Sequence, residues 1–228
     1  MLPDGGPATS REVAGPPSRC LRVQNERWRS GSWTPNREYG DRMNAILRPW
    51  QAGDAEALAE VYKRADEALL INIPDDRTIA GARTWLETIT DAEAASDLCA
   101  RAIVGDADRS GRRILGHVMA SGIERRHSSA WISYWSVAEA RGQGLVSAAL
   151  RSFVDLLHDE LGIYRLELGY RVNNPASAAV ARNAGFIVEG REREKLLYDG
   201  IRYDTEVCAR LSGDPRHRGP RIPFDPPR

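Results

Sequence analysis

The stretch Arg141-Gly142-Gln143-Gly144-Leu145-Val146 constrains this chain more than any other. An apolar, aromatic run from Trp131 to Val137 leads into it, and an amphipathic run from Leu145 to Leu161 follows. A second apolar run, Tyr164 to Val172, comes next. That order predicts strand, tight turn, helix, strand. Two strands joined by one crossover helix are most simply parallel neighbours, connected right-handedly. The turn then delivers free backbone N–H groups to a helix N-terminus, a place suited to phosphate or pyrophosphate. Gly142 and Gly144 can adopt angles that other residues resist, and Arg141 adds a cation. On its six residues alone the stretch is equally a plain Gly-rich turn. Two other phosphate motifs fit worse. A P-loop needs Gly-Lys-Ser/Thr, and Leu145-Val146 occupies those positions. A dinucleotide fingerprint needs a third small residue, which Ser147 only approximates. It also needs an acid at the end of the next strand, and Glu167 lies in mid-strand.

Proline partitions the chain. Ten of the 13 prolines lie outside residues 43 to 211. Residues 1–42 are rich in Gly, Pro, Ser and Arg without apolar periodicity, so they read as a disordered extension. Met43 opens the patterned part, and the expectation is that it is the natural start. Residues 43–211 form one domain of ordinary size, and residues 212–228 read as a Pro/Arg-rich disordered tail. Net charge is zero, and nothing there argues for a nucleic-acid or membrane-surface partner, so none is expected. Cys20, Cys99 and Cys208 are too scattered for a disulfide framework or a metal site. There is no long apolar span and no signal-peptide pattern, so the expected location is cytoplasmic.

Along the domain, Ala45–Trp50 reads as a strand. Asp54 is placed to cap a helix over 55–70, and a second helix is expected over Thr78–Ile89, with Trp85 and Leu86 inward. Strands follow over Leu98–Val104, Ile114–Ile123 and Ser129–Val137, antiparallel to one another. His117 lies within a strand and His127 in a polar turn. After the strand Tyr164–Val172, Asn174-Pro175 suits a helix cap and first position, and Gly185 suits that helix's end. Phe186–Glu189 and Tyr203–Leu211 complete the strands, with a turn at Asp199-Gly200. The fold class is α/β, an α+β mixed sheet with an antiparallel first half and a parallel strand–helix–strand unit.

From about Ala130 to Leu211 the chain resembles the GNAT superfamily of acyl-CoA N-acyltransferases, and within it the RimJ/RimL type. The matching pieces are Tyr134-Trp135, the stretch Ala140–Leu145, Arg165–Leu168, Asn174-Pro175-Ala176-Ser177, Gly185-Phe186-Ile187, Glu189-Gly190, Tyr198-Asp199-Gly200 and Tyr203-Asp204. In the family's phosphate motif, Arg/Gln-x-x-Gly-x-Gly/Ala, Arg141 and Gly144 match and Val146 replaces the last small residue. The resemblance implies an acetyl-CoA-dependent N-acetyltransferase. Its pantetheine arm would lie along Trp135, Ser136 and Val137, and its pyrophosphate at Arg141, Gly142, Gln143, Gly144, Leu145 and Val146. Asn174 and Ser177 would stand near the thioester. Acyl transfer needs a neutral amine, an N–H donor for the oxyanion and a proton for the leaving thiolate, and no metal. The resemblance assigns the oxyanion donor to the Val137 N–H. Many family members place a Tyr acid where Ala181 stands, so Ser177 inherits that task. A Glu base of RimL-like enzymes aligns with Leu196, with Glu194 two residues away as a substitute. Asn72, Asp75, Asp76 and Arg77 are acceptor-side candidates. The acceptor is a protein N-terminus or a small amine, and the protein a monomer or homodimer. The alternative is a module that binds acyl-CoA without turnover.

Overall fold

The computed structural model describes residues 45–108 and 111–225. Residues 1–42, Met43 and Cys20 lie outside the described residues, so the expectations for them have no structural counterpart. Seven strands form one sheet in the order β1-β2-β3-β4-β5-β7-β6. They are β1 (Ile46–Arg48), β2 (Cys99–Asp108), β3 (Gly111–Glu124), β4 (Ser129–Ser136), β5 (Arg165–Arg171), β6 (Ile187–Tyr198) and β7 (Ile201–Leu211). All neighbouring pairs are antiparallel except β4 and β5. The helices are α1 (Ala55–Lys63), α2 (Glu67–Leu70), α3 (Ile79–Ala94), α4 (Leu145–Asp159) and α5 (Pro175–Asn183).

The sheet is covered on both faces. Alternation along a strand sends neighbouring side chains to opposite sides. Ala130 and Ile132 of β4 and Leu166, Leu168 and Tyr170 of β5 join Phe153, Leu157 and Ala181 in a core beneath α4 and α5. Trp135 of β4, with Ala100 and Ala102 of β2, joins Leu58, Tyr62 and Leu86 beneath α1 and α3. His117 is buried on this second face. Its Nδ1 accepts a hydrogen bond from Trp50 Nε1 at 3.0 Å, and the Trp135 ring stacks on it with centroids 5.8 Å apart. Cys99 and Cys208 are buried and unlinked.

Three local expectations are corrected. The helix expected over 55–70 breaks at residues 64–66, and α2 restarts with the Asp66 side chain accepting from Leu69 N. Asp54 sits at the start of α1, but its carboxylate bonds the buried Arg48 guanidinium (2.7 Å) and Gln51 N (2.9 Å) instead of a helix N–H. The third concerns the tail. Residues 212–225 are not loose but run back over α4 to β1. Arg216 pairs with Asp159, and Arg221 with Asp155. Arg151 Nε donates to Pro220 O (2.7 Å) and Ser152 Oγ to Ile222 O (2.7 Å), while the Ile222 side chain is buried in the core. Leu47 N donates to Pro223 O and Asp225 N to Leu47 O, at 2.8 and 2.7 Å. Prolines give up only an N–H, and the Pro220 and Pro223 carbonyls still accept, which is why a Pro-rich segment can edge this sheet.

Candidate active site

The site begins where two strands stop pairing. β4 and β5 are in register only at Ser129/Arg165, Ala130/Leu166 and Trp131/Glu167. Beyond that point β4 continues to Ser136 and β5 to Arg171 without a bond between them. The split leaves strand edges with open backbone groups. A cleft of about 590 Å³ occupies it, lined among others by Tyr134, Trp135, Ser136, Gly169, Tyr170 and Arg171.

The Gly-rich turn closes one end. Gly142 and Gly144 have φ of +73° and +74°, the left-handed region in which side chains with a Cβ are strained. Gly144 is the N-cap of α4, so successive N–H groups turn toward the cleft at a 15-residue helix's N-terminus. Gly142, Gly144, Leu145 and Val146 all line the cleft. Arg141 does too, but its guanidinium is engaged at the mouth. It forms a two-pronged pair with Asp66, the cap of α2, and donates to Ser136 O at 3.1 Å. That contact holds the Asp66 carboxyl below its usual range. Gln143 points away, its Nε2 donating to Glu139 O at 2.8 Å.

At the other end α5 supplies Asn174 and Ser177. Asn174 Oδ1 accepts from Ser177 N at 3.0 Å, which is the expected cap. The Ser177 hydroxyl lies 3.0 Å from the Tyr134 hydroxyl, and Tyr134 also reaches Ser177 O at 3.2 Å. Burial pushes the Tyr134 pKa up to about 12, against the opposing pull of its Ser177 contact, so the phenol stays protonated at neutral pH. Sequence alone leaves Tyr134 without a task. Alternation along β4 signals that it faces α5, but only the fold shows which α5 residue it meets.

Two assigned roles fail. The Val137 N–H donates to Leu115 O at 3.0 Å, so it is not free to polarise a thioester. Bonding alternates along an antiparallel strand, so the groups that face away from β3 belong to Ser136 and Tyr134. The Ser136 carbonyl accordingly meets Arg141. Glu194 fails as well. β6 changes register between Glu192 and Leu196, and Glu194 takes φ of +51° there, its N–H donating to Asp204 Oδ1 at 2.9 Å. Two residues apart on a regular strand share a face, but an irregularity breaks that rule. Leu196 lines the cleft and Glu194 does not. Of the acceptor-side candidates Asn72 lines the cleft, whereas Asp75, Asp76 and Arg77 do not. Asp76 instead accepts from Thr78, the α3 cap. No Asp, Glu or His among the described residues lines the cleft. Among the described residues no group of His, Cys, Asp and Glu could hold a metal ion, and no helix is long and apolar enough to cross a membrane.

The chain is similar to known proteins in sequence and in fold. YdaF of Bacillus subtilis (strain 168), which bears the name of a ribosomal N-acetyltransferase, is 30% identical over 91 residues, 40% of this chain and 50% of YdaF. The match thus spans about half the length of that relative. YjcK of the same organism, which bears the name of an N-acetyltransferase, is 28% identical over 173 residues, 74% of this chain and 94% of YjcK. The solved structure of RimL, a ribosomal L7/L12 α-N-protein acetyltransferase in complex with coenzyme A, superposes with a TM-score of 0.66 at 23% identity. That likeness covers 74% of this chain and 94% of RimL. The acetyltransferase (GNAT) domain family model matches residues 44–187. With its sheet split between β4 and β5 and its Gly-rich turn at the head of α4, the chain belongs to the GNAT acetyltransferase family.

Proposed function

We propose that this protein transfers an acetyl group from acetyl-CoA to an α-amino group, on a protein N-terminus or a small molecule. The carrying observation is the unpaired length of β4 and β5, which exposes a strand edge beside a phosphate-suited helix N-terminus. The coenzyme A in the RimL structure and the ribosomal acetyltransferase names of relatives support that reading. The pantetheine amides pair with the open groups of β4, and the pyrophosphate sits on the N–H groups of 142–146. The Ser136 N–H takes over the oxyanion role first given to Val137. The amine nitrogen attacks the thioester carbon and the oxyanion forms. The oxyanion then collapses to the amide carbonyl as the C–S bond breaks, and the nitrogen gives its proton to water. The thiolate receives one through Ser177, the last link of that water chain, which regains a proton from water as it hands its own to sulfur. Tyr134 stays protonated 3.0 Å from the Ser177 hydroxyl; in the proposed arrangement it donates to that oxygen and leaves the Ser177 hydrogen free for sulfur.

The acceptor class follows from what the cleft lacks. With Leu196 at the base position, the amine must arrive neutral. At pH 7.5 a peptide α-amine of pKa ~8 is about a quarter neutral, but a lysine amine of pKa ~10.4 only about one part in a thousand, with the more basic amine of a free amino acid between them. The test is a panel of N-terminal peptides, amino acids and lysine-type amines with acetyl-CoA, read by thiol release and product mass. Acetylation at α-amines supports the reading. Binding of acetyl-CoA with no amine acetylated would establish the non-catalytic alternative instead.

A further inference from the structure

Arg171 ends β5 and lines the cleft, half-buried. It pairs in register with Thr205 of β7. Gly169, two residues back, lies against the Trp131 ring and Thr205. Arg171, Gly169 and Trp131 therefore share the face covered further on by α1 and α3, opposite the face of α4 and α5. The Arg171 guanidinium carbon stands 4.7 Å from the centre of the Tyr198 ring and 5.3 Å from that of Tyr203. Two tyrosine faces hold the cation and leave its N–H edge to take a ligand.

Its neighbours are neutralised and it is not. Arg141 has Asp66, Arg165 has Glu167 and Glu189, and Arg191 has Asp204. Among the described residues no carboxylate pairs with Arg171. No Asp or Glu among the described residues lines the cleft, and Asp66 at its mouth is taken up by Arg141. A fixed guanidinium without a counter-charge, beside a cleft whose described lining carries no carboxylate, fits an anionic ligand and opposes a polycation. The pyrophosphate is not that anion, because its turn opens onto α4, on the other face of the sheet.

We propose that Arg171 is an acceptor-carboxylate subsite, and that the acceptor is an α-amine carrying a carboxylate within a few bonds. This rests on the transferase reading above. Two sources share that chemistry, a free α-amino acid and a peptide N-terminus with an acidic residue at its first or second position. The planar fork grips the carboxylate through two N–H groups, which fixes where the neighbouring amine can point.

The experiment uses the full chain with acetyl-CoA and two matched acceptor pairs, L-alanine with L-alaninamide and Ala-Glu-Ala-amide with Ala-Gln-Ala-amide. Comparing mutant with wild type on each acceptor cancels differences in amine basicity. Arg171→Gln is expected to lower the preference for the carboxylate member, as a ratio of kcat/KM, by about tenfold or more, as loss of a charge-assisted pair implies. Arg171→Lys should restore part of it. The pair that responds identifies the source. A preference unchanged between wild type and Arg171→Gln in both pairs overturns the proposal. Calorimetric titration of L-alanine and Ala-Glu-Ala-amide into the CoA-loaded protein provides a readout without turnover. If neither binds, the subsite is refuted. If a carboxylate binds through Arg171 but no amine is acetylated, the transferase reading fails and the subsite stands.

Discussion

Ser177 and Tyr134 carry the proposed chemistry through two oxygens 3.0 Å apart. Ser177→Ala should lower kcat by about a hundredfold, the lower end of what general acid catalysis contributes. The Kd for acetyl-CoA should change only a few-fold. If Ser177 merely packs, alanine is the better helix former and the change is silent. Single-turnover kinetics on a confirmed acceptor separate the two. Tyr134→Phe should slow the same step by less, because it removes the orienting donor and not the proton donated to sulfur. A Tyr134→Phe enzyme as slow as Ser177→Ala would assign the acid to tyrosine. At the mouth, Asp66 holds Arg141 in an exposed pair of the kind worth ~0–1 kcal/mol. Asp66→Asn should therefore tighten CoA binding by up to about fivefold, since a carboxylate no longer competes with the diphosphate. Weaker binding in calorimetry would mean that Asp66 positions the arginine for its ligand. The glycines and Asn174 were legible because a turn or cap demands their residue type, whereas Ser177 came only from the family resemblance, since the cap uses its backbone N–H. Tyr134 and Arg171 were not legible, because what defines them is a partner about 27 to 43 residues away across the sheet.

Among elements, α4, β5 and α5 could be read from their sequence because periodicity, Asn174-Pro175 and the glycine after α5 all agree. Gly185 takes φ of +83° there, and Phe186 N donates to Ala181 O, closing the helix. β6 was read too short. Its charged run Arg191–Lys195 looks like a loop, but on an edge strand such charges face water and discourage pairing with another chain. The tail was misread because composition reports a missing core and says nothing of a partner. Ile222 is buried in a core built by other segments, and its arginines find Asp155 and Asp159 on α4. A chain ending at Leu211 would uncover the Leu47 edge, remove the arginines that pair with Asp155 and take away the Pro220 contact of Arg151. Burying one such aliphatic side chain is worth about 1.5–3 kcal/mol. The truncated chain should thus lose more than about 2 kcal/mol of stability by denaturant unfolding. An unfolding midpoint equal to that of the full chain would contradict the packed tail.

For the molecule as a whole, the two cores set how stability depends on pH. His117 is buried among Trp50, Trp85 and Trp135, and its desolvation lowers its pKa from 6.5 to about 3. Its Nδ1 must also stay unprotonated to accept from Trp50. The unfolded chain binds a proton below about 6.5 that the native state refuses, so this contribution is complete above that pH and is lost as pH falls toward 3. The loss is about 1.4 kcal/mol per pH unit, or roughly 2 kcal/mol by pH 5. In His117→Gln the slope of unfolding free energy between pH 6.5 and 5 should flatten by that amount, and an unchanged slope would remove His117 from the account. The mixed sheet itself followed from one turn and its flanking runs, but the extent of the split did not, since pairing depends on what lies between two strands. That split is the central claim, and the direct measurement is calorimetric titration of acetyl-CoA into the full chain and into Gly144→Val. The account predicts one site in the wild-type chain and an affinity at least about tenfold weaker in the folded variant, whose valine is strained at a φ of +74° and crowds the diphosphate. Equal affinity in the two proteins, or no binding by either, would contradict it.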